Sequence, residues 1–278
     1  MVPEKLIIFD YSGTLSLEST LFARPDYLMN HLIESGLMDL GISSPDIFWE
    51  QIVNPTWLEG STTTAGYKKV IEDRISAICH KNMSIVSCDK ISDAVSSFVD
   101  SYLSHSRIDW RWQPILIKLG GHPSIRVIIA TDHYAEATGY IVKYLKEFQV
   151  QAIAAKAASA APDTSPVIVA NSADLGVHKN KSRFWAILKA ALNISAIRHI
   201  LLIDDFGSNE QKGDSYGTGE KVEQRKCDTI RLLQGVFSAE VQVVHFMIDD
   251  NKREKAFGVL IKQTSLILDR YLSATNDG

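Results

Sequence analysis

The chain has 278 residues, 45% of them hydrophobic, enough for one large core or two smaller ones. A formal net charge of -4 excludes a basic nucleic-acid groove, and no apolar stretch approaches the ~20 residues that span a bilayer. Cys79, Cys88 and Cys227 are odd in number and scattered, so they read as free thiols; with no basic-then-apolar leader, a cytoplasmic protein is expected.

In chain order, an apolar run at 6–9 ends in Asp10, and a turn through Tyr11, Ser12, Gly13 and Thr14 follows. Residues 17–112 then carry helical patterns at 26–36, 46–53, 65–79 and 88–104, with Pro25, Pro45 and Pro55 at breaks or first turns and no strand pattern. The polar stretch 59–64 has two readings, a substrate-pocket lining and, favoured, a helix lead-in with Ser or Thr as N-cap; Trp49, Trp57, Trp110 and Trp112 read as packing residues. Further apolar runs follow at 125–130, 167–170, 199–203 and 241–247, separated by helical patterns at 134–148, 184–192 and 222–236. A last helical pattern covers 255–272, and the Ala/Ser-rich stretch 154–162 is the most linker-like. Continuous apolar runs fit parallel strands covered on both faces. The expectation is an α/β fold: a parallel-sheet core from 1–16 and 113–278, and a mostly helical insertion over 17–112.

In a parallel sheet Asp10, Thr131 and the pair Asp204-Asp205 emerge at one edge, and Lys179 and Lys181 precede the helix leading into the Asp204 strand. That set suits phosphoryl transfer. A carboxylate that attacks a phosphate must overcome like-charge repulsion in a low-dielectric cleft. A Mg2+ ion held by Asp10 and Asp205, a lysine and the Thr131 hydroxyl would offset it.

The set resembles the haloacid dehalogenase-like (HAD) superfamily, a Rossmann-like core with a helical cap between its first two motifs. The motifs match as Asp10-Tyr11-Ser12-Gly13-Thr14-Leu15, as Val127 to Thr131, as a lysine at Lys179 or Lys181, and as Leu201 to Asp205 with Asn209 beyond. Lys181 aligns with members that carry Lys-Gly before the helix, Lys179 with those that carry Lys-Pro, and Lys181 is favoured. The resemblance implies a Mg2+-dependent hydrolase acting on a small phosphorylated metabolite. Asp10 would be the nucleophile, Thr131 and the lysine would hold the phosphoryl group, and Gly13, Thr14 and Asp132 would line the substrate. Asp10, Asp204, Asp205 and the Ser12 carbonyl would hold the metal.

Ser12 departs from the phosphatase pattern, which has there the acid that protonates the leaving group. Three readings follow: phosphotransfer to or from good leaving groups, carbon-bond cleavage of the dehalogenase or phosphonatase type, or a binding protein on a HAD scaffold. The insertion has no lysine before Lys68, which weakens the phosphonatase reading. Arg24 keeps the dehalogenase reading open. His133 is expected at the rim of the crevice.

Overall fold

The computed structural model describes residues 3–81, 86–160, 166–192, 194, 196–209, 219–248 and 253–273. Six strands form one parallel sheet: β1 (Lys5–Asp10), β2 (Ile125–Thr131), β3 (Ala152–Ala154), β4 (Val167–Asn171), β5 (His199–Asp204) and β6 (Glu240–His245). Their order is β3-β4-β2-β1-β5-β6, which puts β1 at the centre. The register pairs Asp10 with Ala130, Thr131 with Asn171 and Asp204 with His245, so all these residues reach one edge.

Alternation along the strands separates two buried clusters. Ile7, Phe9, Val127, Ile129, Val169 and Ile203 face one side. Leu6, Ile8, Ile128, Ala130, Ile168 and Leu202 face the other. Burial on both faces explains why these strands read as continuous apolar runs.

Between β1 and β2 lie α1 (Glu18–Phe22), α2 (Pro25–Ser35), α3 (Pro45–Phe48), α4 (Asn54–Thr62), α5 (Tyr67–Lys81) and α6 (Cys88–His105), then α7 (Gln113–Leu119). The core adds α8 (Glu136–Glu147), α9 (Ser172–Leu175), α10 (Ser182–Ala191), α11 (Gly219–Phe237) and α12 (Arg253–Ser273). Among the described residues no helix is long and apolar enough to cross a membrane. The apolar faces of α2, α5 and α6 merge with the first sheet-face cluster through Leu32, Ile71, Phe98 and Tyr67, so one core runs from sheet to insertion.

Local chemistry sets the helix ends. Pro25 opens α2, and Gly36 closes it with φ +81°, a conformation glycine adopts freely. A π-helical turn, Trp49–Val53, joins α3 to α4. Pro55 has no N–H for the Gln51 carbonyl four residues earlier, and the Arg74 guanidinium bonds that carbonyl instead.

The stretch 59–64 is not a lead-in loop, because α4 runs on through Thr62. The N-terminus of α5 is capped from the core: the Glu136 carboxylate accepts from the Tyr67 and Lys68 amides at 2.7 and 3.2 Å. No local Ser or Thr serves as that cap. Of the stretch expected to be linker, Ala154 ends the short edge strand β3 and Ala155–Ala160 form a 3-10 turn, while 161 and 162 lie outside the described residues. Trp110 is also corrected, since it is 72% exposed. Trp49 and Trp57 are partly buried and packed on the core, as expected.

Trp112 shows what joins insertion to core. It is fully buried, meets Phe9 edge-on at 5.5 Å and lies 5.6 Å from Phe246, and its indole N–H donates to the Thr14 carbonyl at 3.0 Å. Trp112→Ala is expected to cost about 3–5 kcal/mol in urea unfolding, from lost burial, the cavity and an unpaired carbonyl.

Candidate active site

The turn after β1 is a tight loop: the Leu15 and Ser16 amides both donate to the Tyr11 carbonyl at 2.9 Å. This projects Asp10 from the tip of β1 and sends Tyr11 into the core, where its hydroxyl donates to the Ser106 carbonyl. Gly13 takes φ +75°, and a Cβ there would lie 2.4 Å from an oxygen of Asp205. Glycine is therefore required where the β1 turn meets the β5 turn.

Four carboxylates and one ammonium meet above β1, β2 and β5. Lys179 Nζ lies 2.5 Å from Asp10 Oδ1 and 3.2 Å from Asp204 Oδ2. Asp132 Oδ1 accepts from the Lys179 amide at 2.8 Å, and the Trp185 indole donates to the Lys179 carbonyl at 2.7 Å. Asp205 accepts from the Gly207 and Asn209 amides at 2.9 and 3.0 Å, and Asp204 Oδ1 from the Phe206 amide at 2.6 Å. Ligand oxygens of Asp10, Asp204 and Asp205 all lie within 4.8 Å of one another.

The electrostatics follow from burial. Desolvation pushes the Asp10 carboxyl up to about 7; Lys179 opposes this and Asp204 adds to it. Desolvation also works against the Lys179 charge, but Asp10, Asp204 and Asp132 outweigh it and hold the ammonium well above its ordinary range. Burial raises Asp132 against the pull of Lys179.

The insertion covers this edge with α4. Ser61 Oγ lies 2.7 Å from His178 Nε2, and Trp57 stacks on the His178 ring with centroids 6.1 Å apart. A Cβ on Gly60 would lie 2.3 Å from the Tyr134 ring.

The sequence matches no protein-family model, and no curated protein matches it significantly. The solved structure of a 2-haloacid dehalogenase from Pseudomonas syringae pv. Tomato DC3000 does match. The alignment covers 98% of this chain and 100% of that one, with a TM-score of 0.52 and 15% identity. The chain has the haloacid dehalogenase-like fold.

Within that fold, several expected site residues fall elsewhere than anticipated. Lys179, not Lys181, reaches Asp10. Lys181 is the exposed N-cap residue of α10, and the bonds to the Lys179 amide and carbonyl fix which lysine turns inward. Thr14 does not face the crevice: it is fully buried, and its hydroxyl accepts from the Asp205 amide at 3.1 Å. Gly13 gives its amide to Ser16 and its carbonyl to Asn209, so it braces the loop and leaves no N–H for a ligand. Asp132 anchors the lysine loop and caps no helix.

Thr131 sits at the tip of β2, and no described residue hydrogen-bonds its hydroxyl. Ser12 is half-buried at the crevice. His133 is buried away from the rim, with Tyr102 Oη 2.8 Å from its Nε2, and burial lowers it to about 4. His178 carried no signal in the sequence, and Ser61 only as part of the polar stretch 59–64. Asn209 did, four residues beyond Asp205: its side-chain amide donates to the Gly13 and Phe246 carbonyls at 2.8 and 2.7 Å.

Lys179→Met is expected to destabilise the metal-free protein by about 3–5 kcal/mol, because it strands buried carboxylates without their cation. Lys181→Met is expected to stay within about 0.5 kcal/mol of the parent, as an exposed substitution. Equilibrium denaturation of the two variants side by side checks both.

Proposed function

We propose that this protein is a Mg2+-dependent hydrolase or phosphotransferase that acts on a small phosphorylated metabolite through an aspartyl-phosphate on Asp10. The observation that carries this reading is the charge balance among the described residues: Asp10, Asp132 and Asp204 share the Lys179 ammonium, and the oxygens of Asp10, Asp204 and Asp205 lie within 4.8 Å of one another. Buried carboxylates in excess are costly unless a cation joins them. The donor set fits a small hard ion, being all oxygen. Asp10, Asp204 and Asp205 would hold it, with the Ser12 carbonyl, which accepts no hydrogen bond from the described residues. When bound, the ion would neutralise part of the charge on a phosphoryl group.

The chain's own residues do the rest. Asp10 presents a carboxylate oxygen to phosphorus, and Lys179 offsets its charge and that of the transferring group. The free Thr131 hydroxyl donates to a phosphoryl oxygen. Docking of α4 over the loop before Lys179 closes the crevice and keeps bulk water from the intermediate. Ser12 has no proton to exchange near neutral pH, so the leaving oxygen departs unprotonated or takes its proton from another group. Three free thiols suit a reducing cytoplasm.

The structural neighbour supports a second reading, halide displacement from a 2-haloacid by Asp10. Arg24, at the start of α2, is the cation the insertion would bring to it. Dehalogenation needs no metal, however, and would leave the acidic cluster uncompensated.

With Mg2+ and an aryl phosphate, turnover is expected in the wild type and only background in Asp10→Asn; turnover untouched by that change would sink the reading. Halide release from 2-haloacids without added metal would support the second reading instead.

Cation binding also has a thermal signature. Because the folded Asp10 titrates near 7, above its ordinary value, the metal-free fold binds more protons than the unfolded chain between those values. Its stability therefore falls as pH rises through about 7. Mg2+ at a hundredfold excess over Kd is expected to add about 2.7 kcal/mol. The resulting rise in Tm is expected to be large near pH ~8 and small near pH ~5, where protons compete for the same oxygens.

A further inference from the structure

Ser12 leaves phosphoryl transfer at this site without the usual group to protonate the departing oxygen. We propose that Asp132 supplies it, as the acid and base of both half-reactions. This rests on the phosphotransfer reading.

Elimination among the described residues leads to Asp132. Asp204 has both oxygens bonded, to Lys179 and to the Phe206 amide, and Asp205 has both on backbone amides. Asp10 is the nucleophile. His133 has one ring nitrogen on Tyr102 and the other on the Tyr134 amide. His178 is engaged by Ser61, and His245 by Ser208 at 2.7 Å. Of the three carboxylates other than the nucleophile, Asp132 is the one with an oxygen, Oδ2, to which no described residue hydrogen-bonds. It is also half-buried, whereas Asp10, Asp204 and Asp205 are 7%, 4% and 2% exposed, so it is the most exposed of the four.

Its placement suits the task. Asp132 follows the tip of β2, directly after Thr131, and its Oδ1 is tied to the backbone of the lysine that touches Asp10. The charged and titratable groups facing it are Lys179 and His178 from the loop before α10, and Asp204 from β5. Burial raises its carboxyl despite the Lys179 charge, which favours the protonated form a general acid starts from.

The step balances. As an Asp10 oxygen bonds to phosphorus, the bond from phosphorus to the leaving oxygen breaks. That oxygen keeps the electron pair and takes the proton from the Asp132 carboxyl. In the second half, the Asp132 carboxylate removes a proton from water as the water oxygen attacks phosphorus. The bond to Asp10 breaks, inorganic phosphate leaves, and both side chains return to their starting states.

Asp132→Asn tests this, since the amide oxygen can still accept from Lys179. Turnover of an alkyl phosphate is expected to fall about 10²- to 10⁴-fold. With p-nitrophenyl phosphate, whose leaving group needs no proton, acid-quenched phosphoenzyme is expected to form at the wild-type rate and to accumulate. Equal loss of phosphoenzyme formation from both substrates, or no loss on the alkyl phosphate, overturns the proposal. Adding Ser12→Asp to Asp132→Asn is expected to restore alkyl phosphate turnover, which it would not do if Asp132 only braced the loop.

One measurement needs no variant. In the wild type, kcat/KM across phosphates of graded leaving-group pKa is expected to be nearly flat. A steep dependence in an active, Asp10-dependent enzyme overturns the acid role and leaves the phosphotransfer reading standing. A wild type inactive on every phosphate with Mg2+ ends that reading, and this proposal with it.

Discussion

The contact on which the site depends is the ammonium of Lys179 lodged between Asp10 and Asp204. Among the described residues it is the one lysine that pairs with these acids, and the surroundings are built to keep it there. Asp132 holds its backbone amide and Trp185 its carbonyl, so the loop that carries it is fixed on both sides. The acids are held as firmly: Thr14 and the turn after β5 orient Asp205, and Asn209 ties that turn to Gly13 and to the end of β6. Polar groups that would be costly if left unpaired in a buried place are used up in positioning one another. What they do not supply is positive charge, and that shortage is the chemical character of the site.

The helical insertion completes the enclosure through contacts of a different kind. Its α4 meets the core where Gly60 lies against the Tyr134 ring and Ser61 reaches His178. Both core partners are neighbours in sequence of site residues: Tyr134 follows Asp132 by two positions, and His178 precedes Lys179. Gly60 and Gly13 serve the same end by different geometry. Gly13 also needs its positive φ, whereas Gly60 sits inside a helix and is small only because a ring fills the space of its Cβ. Among the described residues the α4 contact includes one side-chain hydrogen bond and the Trp57 ring, stacked on His178 and edge-on to Tyr134, which is modest beside the shared apolar core behind it.

Much of this was legible in the sequence, for identifiable reasons. Strands buried on both faces leave continuous apolar runs, so β1, β2, β4 and β5 could be placed, and the valines of the half-exposed β6 marked a fifth, together with the order of strand-tip acids. β3 escaped because three alanine-rich edge residues carry no period. The lysine was misplaced because a two-residue ambiguity before a helix is settled by tertiary bonds, here from Asp132 and Trp185, which sequence spacing does not reveal. The N-cap of α5 was sought locally and came from Glu136, 69 residues away. Thr14 looked like a ligand residue because it adjoins Asp10, yet a residue adjacent in a tight loop often points inward, and here it accepts from Asp205.

Fold and charge answer different questions. A match at 15% identity over the full chain establishes the architecture and leaves the reaction open, because one scaffold carries many chemistries. A carboxylate that displaces halide from a neutral carbon needs to be ionised and exposed to its target, and it gains nothing from further acids nearby. A carboxylate that receives a phosphoryl group works beside a dianion, and acids that recruit a divalent cation are then an asset. Among the described residues Asp10, Asp204 and Asp205 are buried and clustered, and with Asp132 they outnumber the one lysine that pairs with them. Burial holds Asp10 near 7, so without a further cation it is only partly ionised at neutral pH. The same cation that would turn on the nucleophile would also accept the phosphate, and that coincidence of needs favours phosphoryl transfer over halide displacement at this sheet edge.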